Sequence, residues 1–100
     1  MREVRRSEFF LEQARQAFPP GGSAEGKPSF ERFEAGPLRA MEDLCSHGFE
    51  QMAEPLPGIR AWTTIALPFF PPMTFYAVMV EDHVELVGLT VDEEYDWGDG

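Results

Sequence analysis

Met73–Val80 constrains the fold of this chain more than any other segment. It is nearly all apolar, and it lies between Pro71-Pro72 and the acidic pair Glu81-Asp82. Such a run reads as a central strand with both faces covered. Patterned segments flank it on either side. Ile59, Ala61, Thr63, Ile65 and Leu67 alternate with Arg60, Trp62, Thr64 and Ala66. Val84–Val91 alternates again, with Glu85 outward and Gly88 marking a bulge or a close approach. Pro68-Phe69-Phe70-Pro71-Pro72 makes a stiff connection between the first two strands. Glu81-Asp82-His83 makes a tight turn that leaves His83 exposed. Three successive strands joined this way form an antiparallel meander.

The first half of the chain follows a different period. Glu3–Arg6 reads as a short strand with Val4 inward and its arginine neighbours outward. Ser7 is placed to cap a helix, with Glu8 in its first turn. Phe10, Ala14, Ala17 and Phe18 then recur at helical spacing, and Pro19-Pro20-Gly21-Gly22 ends them. Ser29 caps a short turn carrying Phe30 and Phe33, which Gly36 breaks. Pro37 suits the first position of the next helix, whose apolar stripe is Leu38, Met41, Leu44 and Cys45 and whose stop is Gly48. Residues 49–58 read as loop. The expected fold is α+β: two main helices on one face of a three- to four-stranded, mostly antiparallel sheet. One hundred residues allow one such domain, set at 1–92, followed by an acidic segment at 93–100.

Charge restricts function. Residues 1–60 carry eight bases and ten acids; from Ala61 to Gly100 there are eight acids and no Lys or Arg. Phosphate contacts supply most nucleic-acid affinity, so direct nucleic-acid binding is not expected of the strand-rich half. No run is long enough to span a membrane. The basic N-terminus lacks the apolar core of a signal peptide, and Cys45 has no disulfide partner, so a cytoplasmic location is expected.

Leu56-Pro57-Gly58-Ile59-Arg60 leads into the first meander strand as Gly-hydrophobic-Arg. With the aromatic-aliphatic strand Met73–Val80, the acidic turn, Val84–Leu89, and Val4, Ser7 and Phe10 at the opening, the chain resembles the RelE/ParE toxin superfamily over roughly Glu3 to Val91. The resemblance implies the strand-helix-helix-strand-strand-strand order and an antitoxin partner. In members that cut ribosome-bound messenger RNA it implies several bases on the concave sheet face and an acid–base group near the C-terminus. Arg60 fits one base and Tyr95 is the nearest acid–base candidate; these two are the candidate catalytic residues. Where a second base begins the next strand this chain has Thr74 or a neighbour, and where lysines precede the first it has Met52, Ala53 and Glu54. Cleavage by 2′-hydroxyl attack needs a base, an acid and cationic stabilisation, which one Arg in an acidic field does not supply. The ParE branch acts instead by binding DNA gyrase. The resemblance therefore implies a toxin-family protein acting by protein binding, on a target such as gyrase or the ribosome. The alternatives are a non-toxic interaction module on the same fold and a weak messenger-RNA endoribonuclease using Arg60.

Several groups have competing readings. Arg60 can recognise phosphate or carboxylate, or pair across the sheet with Glu85 or a C-terminal acid. Arg2, Arg5 and Arg6 can touch nucleic acid, or balance the acidic end as a solvated terminus. Phe69 and Phe70 form a partner patch if exposed and core if tucked under the helices. Asp92–Asp99 lacks the spacing of a calcium loop. It reads as a solvated tail, or as a segment that docks on a basic partner or folds back over the domain with Tyr95 and Trp97 as anchors. Phe69, Phe70 and Trp97 are thus the candidate partner-binding residues. His47, His83 and Cys45 lack metal-ligand spacing, and no cofactor is expected. Thr63, Thr64, Ser46 and Cys45 have no base beside them, so nucleophilic catalysis finds no support.

Overall fold

The computed structural model describes residues 2–64 and 69–92; Met1, 65–68 and the segment 93–100, with Tyr95 and Trp97, lie outside them. The elements run β1 (Val4–Arg6), α1 (Glu8–Ala17), α2 (Phe30–Phe33), α3 (Arg39–Gly48), β2 (Ala53–Leu56), β3 (Ile59–Thr64), β4 (Met73–Val80) and β5 (His83–Val91). The α+β class is as expected, but the sheet has five strands, in the order β1-β5-β4-β3-β2. It is mixed: β1 runs parallel to β5, and the other pairs are antiparallel. The additional strand comes from 49–58, which is not a plain loop. Phe49–Gln51 forms a 3₁₀ turn and Ala53–Leu56 turns back on β3 through Gly58, whose φ is +82°. β2 is only four residues long, contains Pro55 and is exposed throughout, so it carries no alternation that marks a strand.

The capping chemistry sets the helix starts. The Ser7 hydroxyl accepts the Phe10 N–H at 3.1 Å, and the Ser29 hydroxyl accepts the Arg32 N–H at 3.2 Å. Gly36 does not break the second helical region. α2 continues into α3 through a π-type turn, Glu34–Leu38, with Pro37 inside it rather than at a new first position. Proline has no N–H to donate, and its ring strikes the carbonyl a turn earlier in a regular α-helix. A wider turn relieves both problems and keeps Pro37 and Leu38 buried.

The helices cover one face of the sheet. Phe10, Phe18, Phe33 and Phe75 are fully buried there with Leu38, Met41 and Leu86. Their rings form a continuous stack: Phe18 to Phe33 at 4.9 Å between centroids, and Phe33 to Phe75 at 5.9 Å. Offset contacts of this kind add to the area term, which already stabilises by roughly 25 cal/mol per Å² of apolar surface. Arg6 faces this side too, contrary to the expected outward placement. It spans Glu42 at 2.8 Å and Glu34 at 2.5 Å, tying β1 to the helical layer. The bulge expected at Gly88 is present, where β5 shifts register against Tyr76 and Ala77. The freed Leu89 N–H is taken by Gln13 Oε1 of α1 at 2.9 Å.

Candidate functional site

Alternation along each strand separates the two faces of the sheet. Met73, Phe75 and Ala77 of β4 point to the helices and are buried. Thr74, Tyr76 and Val78 point the other way and are only half-buried, with Val80 exposed beyond them. Met73–Val80 is therefore central in the sheet but not covered on both faces. Register puts Ile59, Ala61 and Thr63 of β3 beside Val78, Tyr76 and Thr74. On β5, Glu85 lies opposite Val78 and Thr90 opposite Thr74. The buried side chains of the helices lie on the other face, against Phe75, Ala77 and Leu86. Its middle is aliphatic and aromatic, with the hydroxyls of Thr63 and Thr74 bonded to each other at 2.9 Å.

Arg60 does not belong to that face. It sits opposite Ala77, on the helix side, and Nη1 donates to the Met52 carbonyl at 2.9 Å and the Glu50 carbonyl at 3.2 Å. Its Cζ lies 5.7 Å from the centre of the Phe49 ring. The guanidinium thus secures the turn between α3 and β2, and the expected pairing with Glu85 is absent. Three arginines at the N-terminal end of the chain are also engaged. Arg5 pairs with Glu3 at 2.8 Å, Arg2 pairs with Glu50, and Arg6 holds Glu34 and Glu42. The Arg5 guanidinium holds the Glu3 carboxyl below the usual carboxylate range, and the hydrogen bond from Arg2 does the same for Glu50. Of these bases only Arg5, opposite Glu85, reaches the open face.

The aromatic connection splits. Phe70 packs edge-on against Phe18 at 5.8 Å, whereas Phe69 is 82% exposed with a φ of +69°. A left-handed aromatic residue is strained by roughly 1–3 kcal/mol, and such residues concentrate at functional positions. His83 is buried, not exposed: at 8% accessibility it opens β5 opposite Val80. His47 stays on the surface at the end of α3, with Nδ1 at 3.0 Å from the Asp43 carbonyl oxygen. Cys45 is buried under the helices, and burial pushes its thiol up to about 12, so the nucleophilic thiolate is suppressed. Among the described residues no group of His, Cys, Asp or Glu could hold a metal ion, and no helix is long and apolar enough to cross a membrane.

A groove follows the outer edge of β3. It encloses about 830 Å³ between Leu44 of α3, Met52–Pro55, and Trp62, Thr63 and Tyr76. On the helix side it adjoins a shallower hollow of about 590 Å³ formed by Ala40, Asp43, Leu44, His47 and Trp62. The sequence does not mark the open face or this groove, because the apolar content of β4 masks its alternation. The hydroxyl-bearing members of the even-numbered set, Thr74 and Tyr76, are the sign of exposure in the sequence. Trp62, in phase with Arg60, was the corresponding sign on β3. The candidate residues Phe69 and Phe70 lie at the β3–β4 end of the sheet, and Arg60 lies behind it. Compared with family models, curated proteins and solved structures, the chain matches none of them.

Proposed function

We propose that this chain acts by binding another protein, as a RelE/ParE-like toxin-family member without a working ribonuclease site. The observation that carries the binding part is the open face of the sheet. It presents Ile59, Ala61, Tyr76 and Val78 together, with Arg5 beside Glu85 already paired to Glu3. A surface of this kind is suited to apolar contact with a protein and repels phosphate. Arg60 is occupied by two backbone carbonyls, so it is poorly placed to stabilise a developing negative charge. Tyr95, the acid–base candidate, lies outside the described residues. The toxin part rests on the resemblance carried by Leu56–Arg60 and by the order of elements, in which two helical regions precede the meander.

Induced expression in a bacterial host tests the proposal. Growth inhibition is expected to survive Tyr95→Phe and to vanish in Val78→Arg with the domain still folded. Mapped cuts in translated messenger RNA that disappear on Arg60→Lys would overturn it in favour of the endoribonuclease. A folded protein that is harmless yet retains a partner sensitive to Val78→Arg would point to the non-toxic interaction module.

A further inference from the structure

The two short edge strands leave their neighbours in different states. β1 covers β5 only from Val84 to Leu86; beyond it, the Gln13 side chain caps the Leu89 N–H from α1. β2 covers β3 only at Ile59 and Ala61, because Phe49–Gln51 coils away before it can reach further. Trp62, Thr63 and Thr64 therefore have no strand beside them on that edge among the described residues. This is also where the groove runs. α3 overhangs the edge with Leu44, and the half-buried Trp62, stacked on Phe75 at 5.8 Å, continues the apolar floor. Hollows on both sides of the strand plane match the needs of one more strand, whose side chains alternate between the two faces.

We infer that an extended segment of a basic protein partner adds to the sheet at the outer edge of β3, alongside Trp62–Thr64. The inference rests on the protein-binding reading above and specifies the shape of the partner. Its inward side chains cover Leu44 and Trp62; its outward side chains lie over Ala53, Thr63 and Tyr76. Charge selects the sign of the occupant. The charged groups of the two hollows are the carboxylates of Glu54 and Asp43, with His47 beside Asp43 at 3.7 Å as the single titratable base. A strand bearing Lys or Arg at alternate positions complements them. A second copy of this chain does not: pairing two β3 edges would bring Asp43 and Glu54 of both copies together, in a protein of net charge -10.

The probe is a synthetic decapeptide of alternating Lys and Val, with an alternating Glu and Val peptide as control, added to the full chain. Hydrogen exchange at those amides of Trp62–Thr64 that face the outer edge is expected to slow by about tenfold with the Lys peptide and to stay unchanged with the Glu peptide. Leu44→Arg, checked for folding by circular dichroism, should abolish that protection, whereas Val78→Arg on the open face should leave it. Where Leu44→Arg fails to fold, Asp43→Lys replaces it, since Asp43 is exposed. Peptide shifts confined to Ile59, Tyr76, Val78 and Glu85 would overturn the edge inference while leaving open-face protein binding intact. No binding of either peptide, together with growth inhibition that ignores Val78→Arg, would overturn both.

Discussion

Along β4 and β5 the two faces of the sheet differ in almost every physical respect. On the helix side of these two strands the inward positions are all apolar: Met73, Phe75, Ala77, Val84, Leu86 and Leu89 are all buried. On the open side, the intervening positions are Thr74, Tyr76, Val78, Glu85 and Thr90, of intermediate accessibility or exposed. A one-residue change of phase therefore divides structural residues from available ones. It also explains why Arg60 is structural: its parity, shared with Trp62 and Thr64, turns it toward the helices.

Truncation should separate the faces most strongly. Phe33→Ala or Phe75→Ala removes a stacked ring from a closed core and is expected to cost about 3–5 kcal/mol. Val78→Ala on the open face should cost under about 1 kcal/mol. Urea denaturation of the three variants measures both, and equal losses would mean that the open face is covered. The next effect concerns the Arg6 triad, whose side chain is 28% exposed and whose guanidinium lies between two carboxylates. Arg6→Met should destabilise by about 1–2 kcal/mol, by leaving Glu34 and Glu42 facing each other. Adding Glu42→Gln should recover part of that loss in a double-mutant cycle. Arg60→Lys is expected to cost about 1 kcal/mol, since an ammonium cannot span two carbonyls and stack on Phe49 as a planar fork does. That loss should appear in the exchange rates of residues 49–52 before it appears elsewhere. The smallest effect is electrostatic. Glu3 and Glu50 are lowered by their arginine partners, and Glu31 is lowered first by the Gly21 N–H. A carboxyl lowered in the folded state stabilises above its unfolded value and loses that contribution as pH falls through the folded one. The urea midpoint should therefore drop modestly as pH falls from about 5 toward 3, and less so at high salt. A midpoint that rises over that range would show that repulsion among the acids outweighs the pairing.

Much of the fold was legible because local signals agreed with the tertiary outcome. Ser7 and Ser29 cap helices as their sequence context indicates, and the spacing of Phe10, Ala14 and Phe18 gives the buried stripe. β4 spans the expected residues, and the bulge lies at the expected glycine. Other features depended on contacts that no local pattern encodes. Pro37 breaks a helix by propensity, but here a widened turn keeps it inside, with Leu38 anchored in the core. β2 exists because β3 offers it an edge, not because Ala-Glu-Pro-Leu favours extended structure. Arg6 and Arg60 look like free cations in a list of charges, and only packing shows their partners. Of the candidate site residues, Phe69 is exposed, Phe70 is packed, and Tyr95 and Trp97 fall outside the described residues.

The parallel pairing of β1 with β5 has a consequence for synthesis. Val4 pairs in register with Val84, so β1 awaits a strand that is made well after it. Helical pieces can form while the chain is still on the ribosome, but the sheet cannot close until β5 has cleared the exit tunnel. Long-range pairing of this sort raises contact order and slows folding relative to a helical bundle of equal length. Throughout that delay Phe10, Ala14 and Phe18 have no sheet to cover them, and the nascent chain is open to aggregation or to early capture by another polypeptide.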